Sequence, residues 1–190
     1  MIVAFLGPDG SGKTFVINNL KKKLEKKKIS LQIIHLKPDL IKNKKIKIVK
    51  FPHKKPKRSY LISICKLLYW LFIFRIFFIK NFFSKQKLFM FDRYPHDILI
   101  DPLRYRYNFN IYLTKIILSL FPQPDLWIHL KNKPEIIWKR KKEIAYEDLL
   151  HQLKDYKNFF KNKKNLIIYT YKKDLKIIEI NIIKLLNSLK

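Results

Sequence analysis

An α/β fold, a parallel sheet covered by helices on both faces, is what the sequence predicts, and three observations predict it. Five short apolar, β-prone runs alternate with helical patterns, the order that yields parallel strands joined by crossover helices. The three glycines of the chain, Gly7, Gly10 and Gly12, all fall between the first such run and the first helical pattern. The length, 190 residues, suits one ordinary domain with a sizeable core and leaves no room for a second independent one.

Each element has its own signal. Met1 to Leu6 is an apolar run suited to a buried strand. From Lys13 onward, Phe15, Val16, Ile17, Leu20 and Leu24 recur at helical spacing among polar residues. Ser30 to Leu36 reads as the second strand. Lys37 to Arg58 is lysine-rich, holds Pro38, Pro52 and Pro56, and reads as an exposed, mobile connection. Tyr60 to Phe83 is a long apolar helix, and Lys87 to Phe91 is a third strand ending at Asp92-Arg93-Tyr94. Helical patterns cover roughly Asp97 to Tyr105 and Ile111 to Leu120. Pro122-Gln123-Pro124 then breaks the chain ahead of strand four, Asp125 to Leu130. A helix begins near Pro134, which suits a first helical turn, and passes through Trp138 and Arg140. Tyr146 to Phe160 is another helix, Asn165 to Thr170 the fifth strand, and Leu175 to Leu189 the last helix.

Composition excludes several classes. Lys and Arg number 42 against 14 Asp and Glu, a formal charge of +28, yet a hydrophobic fraction of 48% rules out general disorder. The single cysteine, Cys65, rules out an internal disulfide framework and a multi-cysteine zinc site. The five histidines share no metal-ligand spacing. No signal-peptide pattern precedes the first apolar run, so the expected compartment is the cytoplasm. Only six of the 42 cations are arginines, a balance that fits compositional bias on a solvated surface as well as an anionic partner. Either way, positive potential draws in polyanions such as nucleotides.

The glycine segment reads Gly7-Pro8-Asp9-Gly10-Ser11-Gly12-Lys13-Thr14, the G-x-x-x-x-G-K-[ST] pattern of a phosphate-binding loop between a strand and a helix. Glycines let backbone N–H groups close around an anion, and the helix that follows adds its positive end. In that pattern Lys13 reaches the β- and γ-phosphates and the Thr14 hydroxyl ligates Mg²⁺, which makes ATP and Mg²⁺ the expected cofactors. Strand three delivers Asp92 to the carboxyl edge of the sheet, where an acid holds Mg²⁺, and places Arg93 to fork onto a substrate phosphate. Where lysine is the common cation, arginine marks positions that need planar bidentate geometry, which singles out Arg93, Arg104, Arg106 and Arg140. Alternate residues on a helix point about 200° apart. The segment Asp101 to Tyr107 is therefore expected to leave helical geometry near Pro102 and turn both Arg104 and Arg106 toward the acceptor side of the cleft.

With these residues in place the sequence resembles the thymidylate kinase family of phosphate-loop nucleoside monophosphate kinases. The likeness rests on Gly7 to Thr14 with an acid at Asp9, on Phe91-Asp92-Arg93-Tyr94, on Pro124-Asp125-Leu126 and on Lys139-Arg140-Lys141 with Glu143. It implies a five-stranded P-loop kinase sheet of order 2-3-1-4-5 and transfer of the ATP γ-phosphoryl group to a nucleoside monophosphate, dTMP first. It also implies that Asp9 meets the acceptor's sugar hydroxyl, Arg93 its phosphate, and Arg140 the transferring group from a lid over about 139–147. The chain departs from the family after strand two, where His35-Leu36-Lys37-Pro38-Asp39 carries no arginine, and at Pro95-His96-Asp97, where the family has a serine. Two rivals stay open: a kinase for another sugar-like or phosphorylated acceptor working near a membrane surface, and an ATPase that binds nucleic acid. The helix from Leu61 to Ile79 is long enough to span a bilayer, but Lys66 and Arg75 argue against spanning. Packing on the sheet, a homodimer interface and peripheral membrane contact remain for it.

Overall fold

The computed structural model describes residues 1–38, 53, 55–82, 88–161, 163, 165–170 and 175–188. Most of the basic connection expected over 37–58 lies outside the described residues, as do Phe83, Lys87 and Leu189 at the ends of expected elements.

Every residue of Ile2–Leu6 (β1) is buried, which requires cover on both faces and a paired strand along both edges. The sheet supplies this. Leu31–His35 (β2), Leu88–Asp92 (β3), Leu126–Lys131 (β4) and Asn165–Tyr169 (β5) join β1 in the order β2-β3-β1-β4-β5. All neighbouring pairs are parallel, with Phe5 opposite Asp92 and Leu6 opposite His129. The order expected for a P-loop kinase is therefore the order found.

Among the described residues, six helices flank the sheet: α1 (Lys13–Lys26), α2 (Tyr60–Lys80), α3 (Ile111–Ser119), α4 (Pro134–Arg140), α5 (Tyr146–Phe160) and α6 (Leu175–Ser188). Alternation along the strands divides the apolar residues into two cores. Ile2, Ala4, Leu6, Phe91 and Trp127 face α2 and α5 through Leu67, Trp70, Phe74 and Tyr156. Val3, Phe5, Met90 and Ile128 face α1 and α6 through Val16, Leu20, Leu24 and Ile182. The strand order reverses between β3 and β1, so the chain leaves these strands in diverging directions and a crevice opens at their carboxyl ends.

One expected helix is not formed. Asp97 to Tyr105 is instead a short 3-10 turn, Pro95–Leu99, followed by tight turns over 102–106. Pro102 lacks an N–H for a continuing helix, and its carbonyl accepts from both Tyr105 (3.2 Å) and Tyr107 (2.9 Å). The expected departure from helical geometry near Pro102 is thus found, through the backbone of these turns.

A candidate phosphoryl-transfer site

The phosphate loop closes at the carboxyl end of β1. Gly10 has φ +86°, and a Cβ there would lie 2.8 Å from the Ile137 carbonyl on α4, so both conformation and space demand glycine. Gly12 caps α1 at φ +96°, and Gly7 opens the loop against the Leu130 carbonyl. Ser11 is buried, its hydroxyl has no hydrogen-bond partner among the described residues, and it does not line the cleft.

Lys13 is no exposed loop lysine. It is 6% exposed, and its Nζ donates to the carbonyls of Gly7 (2.7 Å) and Pro8 (2.8 Å). Burial, with Arg93 nearby, pulls its pKa down to about 8 despite Asp9, Asp92 and Asp97.

A cleft of about 350 Å³ brings together Asp9, Gly10, Gly12, Lys13, Thr14, Asp92, Arg93, Arg104 and Arg140, joined by Phe15, His35 and Lys141. Asp9 is its electrostatic centre: Arg93 donates to Oδ1, Arg104 donates to Oδ2, and Lys13 lies 3.8 Å away. Burial raises the Asp9 carboxyl, but Arg93, Lys13, Arg104 and Lys141 outweigh it and hold the group well below the usual carboxylate range. Arg140 reaches the loop from α4, donating to the Gly10 carbonyl at 3.3 Å.

Asp92 fits the metal-ligand role by its environment. Its Oδ1 is buried and has no hydrogen-bond partner among the described residues, while Oδ2 lies 3.4 Å from His35 Nδ1. Burial raises this carboxyl, yet the His35 hydrogen bond and the charge of Lys13 bring it below the ordinary value. A hard cation beside Thr14 would satisfy the orphaned oxygen.

Arg93 takes φ +78°, a conformation that costs a side-chain-bearing residue about 1–3 kcal/mol and persists because its surroundings impose it. Those surroundings are a network centred on Asp97, which is 0% exposed. Arg93 Nη1 and the Tyr105 hydroxyl (2.8 Å) donate to Asp97 Oδ2, and the Tyr156 hydroxyl donates to Oδ1 at 2.7 Å. Burial and then Asp97 push both tyrosines well above the usual range, so each stays a donor. Sequence reasoning did not single out Asp97, Tyr105 or Tyr156 as a group. The four-residue step from Arg93 to Asp97 was the available signal; Tyr156, 59 positions further along, gave none.

Arg106 does not join the site. Its backbone enters the left-handed region at φ +52°, which turns its side chain away, and Nε donates to the Pro56 carbonyl (2.8 Å) at an exposed position. Only Arg104 of the pair faces the cleft. His96 likewise belongs to the core, stacked against Tyr94 and edge-on to Trp127.

No protein-family model matches the chain, and no curated protein does. Among solved structures it is similar to deoxyadenosine kinase from M. mycoides with bound dATP, with a TM-score of 0.59 and 17% identity over 98% of this chain and 100% of that one. The same enzyme with the products dCMP and a flexible dCDP gives 0.59 and 17% over 99% and 100%. The YorR protein of Bacillus subtilis in complex with phosphorylated GDP gives 0.56 and 17% over 97% and 95%. The chain shares the fold of these proteins, a five-stranded parallel sheet of order 2-3-1-4-5 behind a phosphate loop. None of the three is named a thymidylate kinase.

Proposed function

We propose that the protein is an ATP-dependent kinase that transfers the γ-phosphoryl group to a nucleoside monophosphate, with dTMP the first candidate. One observation carries this reading: two guanidinium groups, Arg93 and Arg104, converge on the single carboxylate of Asp9 within the phosphate loop. A pair of forked cations around one small anion, in the same cleft as Lys13, is the arrangement that grips an acceptor phosphate facing the donor phosphates.

Each residue then has a task. The backbone of Gly7 to Gly12 and the Lys13 ammonium hold the donor's β- and γ-phosphates. Thr14 and Asp92 would hold Mg²⁺, which when bound offsets the negative charge gathering on the phosphates. Arg93, fixed by Asp97, and Arg104 orient the acceptor, exchanging Asp9 for its phosphate. Asp9 is then free to accept from a sugar hydroxyl. Arg140 and Lys141, beside the connection from α4 to α5, close as a lid over the transferring group and exclude water.

A second acceptor class, an unphosphorylated deoxynucleoside, is favoured by the missing arginine after β2 and by the likeness to a deoxyadenosine kinase. Labelled ATP offered with the four deoxynucleoside monophosphates and the four deoxynucleosides separates the two. A labelled diphosphate supports the first reading, and a labelled monophosphate the second. Phosphate release stimulated by nucleic acid, with no small-molecule product, would overturn both.

A further inference from the structure

Arg93 and Arg104, the two guanidinium groups that meet on Asp9, are tied to one another through the chain between them. The Asp97 carboxylate holds Arg93, and the Asp97 carbonyl accepts from the Asp101 N–H at 2.8 Å. The Asp101 side chain makes the next link: its Oδ1 accepts from the Arg104 N–H at 3.1 Å. Asp101 thereby fixes the piece of backbone from which Arg104 reaches Asp9.

The Asp101 carboxylate is only 7% exposed, and a buried carboxylate is costly unless donors surround it. One backbone N–H does not satisfy its two oxygens. The remaining donor comes from 48 positions earlier in the chain. His53 Nε2 donates to the pair of oxygens, 2.9 Å from Oδ2 and 3.1 Å from Oδ1. The His53 side chain is nine-tenths buried against it. No other side-chain donor reaches Asp101 among the described residues. Asp9 and Asp101 also line one small cavity of about 20 Å³, with His53, Lys141 and Glu143. A carboxylate left short of donors beside that cavity competes with Asp9 for the Arg104 guanidinium, whose backbone it already holds.

We propose that His53 is a positioning residue for the acceptor side of the cleft. By satisfying Asp101 it keeps the Arg104 backbone fixed and leaves the Arg104 guanidinium to Asp9 and then to the acceptor, a role that rests on the kinase reading above. Two variants of the full chain isolate the donor: His53→Ala removes it, and His53→Gln restores an N–H where Nε2 stands. Arg104 is read without nucleotide from the NMR resonance of its Nε–H, assigned by its loss in Arg104→Lys. His53→Ala should shift and broaden that resonance, and His53→Gln should return it toward the parent. Kinetics use ATP with dTMP, or with deoxyadenosine if the acceptor panel selects deoxynucleosides. The acceptor KM should rise about five- to ten-fold in His53→Ala with the ATP KM unchanged, and His53→Gln should recover most of the loss. An Arg104 resonance unmoved in His53→Ala overturns the proposal, as does a His53→Gln variant that behaves like His53→Ala. A rise of both KM values alike also overturns it, since that marks a general loosening of the fold. A parent chain that phosphorylates no nucleoside or nucleotide refutes the kinase reading instead, and the Arg104 resonance then decides by itself whether His53 positions that side chain.

Discussion

Acidification should destabilise this protein well before its carboxylates titrate, because two histidines are buried in neutral form. His96 is 5% exposed among Tyr94, Trp127 and Phe159, and His129 is 1% exposed, stacked on Phe160 with ring centroids 4.4 Å apart. Neither His129 nitrogen nor the Nδ1 of His96 has a hydrogen-bond partner among the described residues. Burial, aided by Lys163 for His96 and Lys131 for His129, depresses both to about 3 from the ordinary 6.5. Between those values the unfolded chain binds a proton at each site and the folded chain does not. Stability is therefore complete above pH 6.5 and is lost as pH falls toward 3. At pH 5 each site removes about 2 kcal/mol relative to pH 8, or ~4 kcal/mol together, a large share of the roughly 5–15 kcal/mol typical of a domain. Asp9 and Asp92, both held low, act in the same direction but only below about pH 4, and Lys13 and Lys66, lowered to about 8, titrate mainly above pH 7, so the imidazoles dominate the change between pH 5 and 7. Urea unfolding followed by tryptophan fluorescence measures the effect, and His129→Leu should remove about half of the pH dependence. Equal stability at pH 5 and pH 8, or imidazole NMR signals titrating near the ordinary value in the folded protein, would refute the reasoning.

The cleft makes further demands. Lys13→Ala should lower phosphoryl transfer by about 10²–10³-fold while costing about 1 kcal/mol of stability, since water from the cleft can meet the Gly7 and Pro8 carbonyls; full activity in the folded variant would end the kinase reading. Arg104→Lys keeps the charge but loses the planar guanidinium whose Nη1 donates to Asp9 Oδ2, so the acceptor KM should rise about ten-fold with ATP binding unchanged. Arg106→Lys, at a side chain turned toward Pro56, should leave acceptor kinetics unchanged. Tyr156→Phe removes one donor from Asp97 and should cost about 1–2 kcal/mol in urea unfolding and raise the acceptor KM through a loosened Arg93; an unaltered acceptor KM would confine Tyr156 to stability. Asp92→Asn should lower kcat and raise the Mg²⁺ concentration needed for half-maximal rate.

Local patterns settled much of this protein, because they act over a few residues. The phosphate loop is legible since all three glycines crowd into one strand-to-helix turn, and β1 is legible since an unbroken apolar run has to be covered on both faces. Arg93 and Asp92 follow from their place at the end of a strand beside that loop. The tertiary structure alone decided which of Arg104 and Arg106 faces the cleft, because the left-handed backbone at Arg106, within a tight turn, leaves its side chain on Pro56 while that of Arg104 meets Asp9. It alone drew Lys13 into the interior and gathered Asp97, Tyr105 and Tyr156 around Arg93. The Tyr156 hydroxyl meets Asp97 only because α5 folds back over the same face of the sheet. A hydrogen bond across 59 residues leaves no periodicity to read; it exists only once the strand order has brought the two segments together.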